Sequence, residues 1–316
     1  MRFIAVCAVV WIHTPETIRD TIIWARWSVP FFTIASIWLI GKSLAARPNQ
    51  PFWPYARRRT IRLYGTFLLW NAIYLLLIAF KHAAFHTGKP IVLVPDLFWG
   101  GSAEHLWFLT FLCVASAAVF PLIQLATRGR VFAIAISSLA IIGFVAVSFS
   151  TMPNLGGLNP GTGAFWGNVW MALPALCIGV AMASLRAGVP ATTQDGGTNR
   201  LSIAAAVCGV IVFSVSLFHL VQYGRDAGWE GLSGFGAMLI CFAPVRGPVK
   251  RGLASLGQYA FGIYVIHVMW VELLQVLCVR VGIAASPPLD IAVAIVATLI
   301  SLLMCWLLRN SRLMPR

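Results

Sequence analysis

The chain is a succession of apolar runs, most of them long enough to cross a hydrocarbon layer about 30 Å thick. They lie near 2–16, 22–44, 61–80, 105–126, 131–151, 166–186, 201–221, 229–245, 254–280 and 287–308. A helix rises about 1.5 Å per residue, so about 20 apolar residues suffice for one crossing. Gly and Ser dilute the start of the eighth run. With 59% apolar and only 10% charged residues, the chain is far from the composition of a soluble domain. The expected fold is all-α: a polytopic membrane helix bundle with about ten transmembrane helices. No polar stretch is long enough for a soluble domain, so residues 1–316 read as a single transmembrane domain.

Charge sets the expected orientation. The net charge of +14 invites a nucleic-acid reading, but the basic residues recur in the segments between apolar runs. Arg2, Lys42, Arg47, Arg57, Arg58, Arg59, Arg62, Arg128, Arg130, Arg186, Arg200, Arg246, Lys250, Arg251, Arg309, Arg312 and Arg316 fall on one side. Arg19, Arg26, Lys81, Lys89, Arg225 and Arg280 fall on the other, and Asp195 is the one acidic residue on the basic side. This is the positive-inside bias, reinforced by attraction to anionic lipid. It predicts a multi-pass protein with both termini in the cytoplasm and no nucleic-acid partner.

Arg2 and His13 bracket the first run. Eleven helical steps come to within roughly 20° of three full turns, so both side chains share a face. The imidazole lies about 16 Å deeper than the guanidinium. An ionisable group at that depth is costly and marks function. A neutral imidazole there suits a general base, and Glu16 or Asp20 could orient it. A buried structural histidine is the competing assignment. The first span is short and begins almost at the membrane, as expected if residues are missing upstream or the start is misassigned. A secretory signal peptide is the other reading of 2–14, but no small-x-small cleavage site follows, and losing one span would break the charge alternation.

Arg59 and Arg62 are three apart and face the same way if a helix has begun there. Arginine forks bind phosphate; a headgroup anchor is the alternative, and it suffices for Arg57 and Arg58. His105-Leu-Trp107-Phe-Leu109 opens the fourth span, with Glu104 beside it. Ser36 lies inside the second span, where a hydroxyl commonly joins helices. Tyr264 and His267 sit one turn apart in the ninth span, with a structural hydrogen bond as their expected role. Seven cysteines (Cys7, Cys113, Cys177, Cys208, Cys241, Cys278 and Cys305) fall in or beside apolar runs. No CxxC or Cys/His cluster occurs, so neither a metal site nor a disulfide framework is expected, and the thiols read as buried and free. The uncharged segment 154–163 reads as a flexible loop. There is no P-loop, Rossmann pattern, HExxH or internal repeat.

Together these pieces resemble the acyltransferase-3 family of bacterial integral membrane acyltransferases, over nearly the whole chain. The R-x10-H spacing matches Arg2 and His13. A VPxFFxxSGxL-like second span is similar to Val29–Leu39, and RxxR matches Arg59 and Arg62. HLWFL matches His105–Leu109, and LGxYSxxIYxxH resembles Leu256–His267. Departures are Thr33 for Phe, Ile37 for Gly and Ala260 for Ser, and the usual acidic lead-in before Arg2 is absent. The chain is expected to lack the fused SGNH-type domain that some members of that family carry.

The resemblance implies an O-acyltransferase of the bacterial inner membrane. It would move an acyl group, acetyl above all, from cytoplasmic acyl-CoA to a hydroxyl of a sugar, polysaccharide or lipid-linked glycan. Acyl-CoA would be a co-substrate, with no tightly bound cofactor. Arg2, Arg59 and Arg62 would hold its phosphates. His13 would activate the acceptor hydroxyl, or carry the acyl group covalently. Membrane lipid and polysaccharide-assembly proteins are the implied partners. A transporter or flippase of a lipid-linked sugar is the alternative from another class. Ten spans and buried histidines fit it, but it leaves the R-x10-H and RxxR spacings unexplained. A membrane sensor or assembly partner without catalysis is a third reading.

Overall fold

The computed structural model describes residues 1–85, 95–150, 160–189, 199–244 and 247–310. These contain eleven α-helices and no strand. In chain order they are α1 (Arg2–Ile12), α2 (Ser28–Ala46), α3 (Phe52–Phe85), α4 (Trp107–Ala126), α5 (Arg130–Phe149), α6 (Pro160–Ala187), α7 (Asn199–Tyr223), α8 (Ala227–Ile240), α9 (Pro248–Gly257), α10 (Ala260–Arg280) and α11 (Pro287–Leu307). A 3-10 helix, Arg19–Ala25, leads into α2. Eight helical stretches are long and apolar enough to cross a membrane.

The expected ten runs are all present, but not all as full crossings. α1 has 11 residues, about 16 Å of helix or half a hydrocarbon core. It stops at His13 because Thr14-Pro15 follows, and proline biases the residue before it away from helix. α8 has 14 residues and begins at Asp226, whose side chain caps the Trp229 N–H at 2.9 Å. The ninth run, read as 254–280, is two helices. Amphipathic α9, bearing Lys250 and Arg251, ends at Gly257, and α10 starts at Ala260. α3 begins nine residues before the expected 61, at Phe52, with Pro54 in its first turn, where proline costs little. Its 34 residues span about 51 Å, so the arginine-rich first turns extend past the apolar layer. The second run starts later than expected as α-helix, at Ser28. Residues 160–163, expected in a loop, form the first turn of α6; 154–159 of that segment lie outside the described residues, as do Lys89, Asp195, Arg246, Arg312 and Arg316.

α4 is the central helix: 61% of its apolar stretch is buried, against 11% for α7. α5 and α7 turn Val, Ile and Leu outward, as a lipid-facing periphery does. Small residues bring the inner helices close. A Cβ on Gly41 of α2 would collide with the Ala183 backbone of α6, and one on Gly234 of α8 with Pro30 and Phe31. Such contacts replace the hydrophobic drive that lipid cannot supply. All seven thiols are free, but only Cys113 and Cys305 are buried; Cys208 and Cys241 are exposed. The expectation of general burial fails because an apolar side chain in a lipid-facing helix has no need of the protein interior.

Candidate functional site

Three histidines converge inside the bundle. His13 caps the C-terminus of α1, its N–H donating to the Val10 carbonyl at 3.1 Å. His105 sits in the turn before α4, and His267 lies within α10. The ring centres are 5.9 Å apart for His13 and His105, 5.3 Å for His13 and His267, and 5.1 Å for His105 and His267. They do not form a metal-binding group of His, Cys, Asp or Glu among the described residues.

The turn carrying His13 is held from two other helices. Thr14 Oγ1 donates to the Val10 carbonyl at 2.8 Å, and Gln275 of α10 donates to the Thr14 carbonyl at 3.1 Å. Asp290, in the first turn of α11, accepts from the Glu16 N–H at 3.2 Å, the Thr17 N–H at 3.0 Å and Thr17 Oγ1 at 2.6 Å. Glu16 thus joins the anchor through its backbone. No hydrogen bond among the described residues links His13 to Glu16 or Asp20. The groups beside the imidazole are His105 and His267, which the sequence had placed in separate motifs.

Tyr264 joins the same cluster. Its hydroxyl donates to the His105 carbonyl. Tyr74 of α3 lies edge-on to His105 at 5.3 Å, its hydroxyl donating to the Val265 carbonyl at 3.0 Å and accepting from the Met269 N–H at 3.2 Å. No hydrogen bond joins the Tyr264 and His267 side chains among the described residues; the His267 ring instead donates to the Tyr264 main-chain carbonyl at 2.8 Å.

Two cavities flank the cluster. The first, ≈ 230 Å³, is lined by His13, His105, Trp107, Asn168 and four charged side chains: Arg26, Glu104, Arg225 and Glu230. Glu230 is 4% exposed. Its carboxylate accepts from Arg225 Nε at 3.0 Å and lies 3.9 Å from Arg26 Nε. The second cavity, ≈ 300 Å³, gathers Arg2, Ser36, Arg59 and Arg62 with the end of α9. Arg59 Nε donates to Ser116 Oγ at 3.2 Å, which fixes that guanidinium against α4. Because α3 is already helical there, Arg59 and Arg62 do share a face. Tyr264 and Phe108 line both cavities and so form the wall between them. A larger apolar cavity, ≈ 470 Å³, between α4 and α6 contains none of the candidate residues.

The candidate residues therefore separate into a basic chamber (Arg2, Ser36, Arg59, Arg62) and a histidine chamber (His13, His105, Trp107), with Tyr264 between them. His267 touches His13 from behind. The Arg26–Glu230–Arg225 group and the Asp290 anchor were missed. Their signal was available in part: Glu230 and Asp290 are single acids inside apolar runs.

Comparison with known families gives one match. The acyltransferase-3 model, described as an acyltransferase domain, covers residues 1–309. No curated protein matches the chain, and neither does any solved structure.

Proposed function

The chain belongs to the acyltransferase-3 family and is a membrane acyltransferase; on that premise we propose that it moves an acetyl group from acetyl-CoA to a sugar hydroxyl. The observation that carries this reading is the pair of chambers meeting at one wall. Arg2, Arg59 and Arg62 offer three guanidinium groups around one cavity, suited to the phosphates of a CoA thioester. The histidine chamber offers carboxylates, guanidinium groups, the Asn168 amide and the Trp107 ring, a mixture suited to a polyhydroxylated ring. The basic side of the bundle is the cytoplasmic side by the charge bias, so donor and acceptor approach from opposite faces of the inner membrane. Both termini then lie in the cytoplasm, and the chain works as a single transmembrane domain. A glycan or glycolipid is the acceptor, and polysaccharide-assembly proteins deliver it.

The chemistry follows from where His13 sits. A bare imidazole nitrogen of His13 takes the proton of the acceptor hydroxyl as its oxygen attacks the thioester carbonyl. The C–O bond forms, the C–S bond breaks, and the departing thiolate recovers the proton from the imidazolium. The thioester reaches this point past Tyr264 and Phe108. Two reactants held in one water-poor site react as a pre-oriented pair.

Labelled acetyl-CoA and candidate glycans, incubated with the purified protein in lipid nanodiscs, test the reading. His13→Ala is expected to melt as the wild type does and to lose transfer by 10²–10⁴-fold, the usual worth of a general base. Full transfer by a folded His13→Ala protein would overturn it.

A further inference from the structure

His267 is completely buried, at 0% exposure. Its Nδ1 lies 2.8 Å from the Tyr264 carbonyl and 3.2 Å from the Ile263 carbonyl. Both neighbours are acceptors only, so Nδ1 carries the proton and the neutral ring keeps its lone pair on Nε2. These carbonyls come from the preceding turn of α10 itself, so the tautomer is fixed by a rigid element. Nε2 has no hydrogen-bond partner among the described residues. A buried acceptor left without a donor is costly, and in a native fold it calls for an explanation.

The donor that could meet it is a neighbouring imidazole. His13 has its ring centre 5.3 Å away, tilted by 55°. At that separation a modest turn of one ring, or one bridging water, brings nitrogen to nitrogen, and such bonds commonly tighten only once substrate is bound. Of the two neighbouring rings, His13 is the one assigned the proton transfer, and it stands on the turn that ends α1. His105 lies 5.1 Å from His267 with neither ring nitrogen bonded among the described residues; the bond from Tyr264 to its carbonyl holds its backbone.

We propose that His267 is a positioning residue for His13. Its fixed Nε2 lone pair accepts the ring N–H of His13, which turns the other, unprotonated nitrogen of His13 toward the acceptor chamber. When His13 takes the acceptor's proton, its imidazolium keeps the same bond to Nε2. The proton then passes to the CoA thiolate, and His267 ends as it began. This is the arrangement of a base held in its working tautomer by a second group. It rests on the reading of His13 as the base.

The test compares His267→Leu, which keeps apolar bulk, with His267→Gln, whose carbonyl oxygen can still accept the bond. Both are measured in nanodiscs for acetyl transfer, with melting recorded alongside. The expected result for Leu is a 10–100-fold lower kcat with KM for acetyl-CoA and acceptor unchanged, the usual cost of losing an orienting partner. Gln is expected to recover kcat to within about tenfold of wild type. A structural role would show the reverse, with Leu tolerated and Gln destabilising. Wild-type kcat in the Leu variant overturns the proposal, as does a Gln variant that melts normally yet loses as much kcat as Leu. Should Leu fail to fold, the Gln variant decides by the same criterion. If His13→Ala is inactive while both His267 variants are normal, the positioning role falls and the base survives; an active His13→Ala removes both.

Discussion

Replacing Asp290 by Ala tests whether the His13 turn is held from α11. The carboxylate accepts three hydrogen bonds, at 3.2, 3.0 and 2.6 Å, from Glu16 and Thr17. Bonds to a charged group are worth about 1.5–3 kcal/mol each, a gross of roughly 4.5–9 kcal/mol for three. Asp290 is buried, at 4% exposure, but Glu16 and Thr17 are exposed. Water can therefore take over the freed donors, which brings the net nearer 3 kcal/mol. The acid also loses its place in the first turn of α11, worth about 0.3–1 kcal/mol against the helix dipole. At roughly 2 °C per kcal/mol for a chain of this size, melting should fall by about 6–8 °C. Asp290→Asn should cost about a third of that, because a turned amide keeps its oxygen toward the two Thr17 donors. Transfer should suffer beyond the stability loss. A turn free to move by an ångström misplaces His13, and such shifts cost up to about 10²-fold. Gln275→Ala removes the second tie to the same turn, so the double variant should lose more than the sum of the singles. Melting in nanodiscs and labelled-acetyl transfer check both arms. An Asp290→Ala protein with wild-type melting and kcat would refute the anchor.

Two further outcomes follow from the chambers. Arg59→Ala and Arg62→Ala should each raise KM for acetyl-CoA by about tenfold, roughly 1.4 kcal/mol of lost phosphate contact. Lys should recover only part of it, because the planar fork is gone; an unchanged KM would favour a lipid-headgroup anchor. Tyr264→Ala removes the wall shared by the two cavities and should raise acetyl-CoA hydrolysis in the absence of acceptor, read as released thiol, while Tyr264→Phe keeps the wall and stays near wild type. Equal hydrolysis by all three proteins would show that Tyr264 does not separate the chambers.

Much of the site was legible because helix periodicity converts spacing into direction. Arg59 and Arg62 share a face for the reason their spacing gives, and the isolated His13 was conspicuous in its apolar run. Arg2 and His13 needed tertiary information. They lie on one helix, yet Arg2 lines the basic chamber and His13 the other, with Tyr264 between. No periodicity rule reports which helix lies opposite, so the meeting of His13, His105 and His267 was hidden in three separate motifs. Glu230 reads as part of an apolar run because its partners, Arg26 and Arg225, come from the lead-in to α2 and the link between α7 and α8.

The departures from regular spans fall at the two chambers, and this has a physical cause. Non-helical backbone at membrane depth is tolerated only where protein covers it or where it lines a polar cavity. The early end of α1, the 3-10 lead-in before α2 and the short α8 contribute His13, Arg26 and Glu230 to one chamber. The break between α9 and α10 contributes Gly257 and Gln258 to the other. A bundle of ten full-length helices would have buried its centre under side chains. Ending α1 at His13 leaves the space beyond its tip open and puts a histidine at the edge of that space. The end of α1 at His13, ahead of Thr14-Pro15, is what gives that histidine a chamber to face.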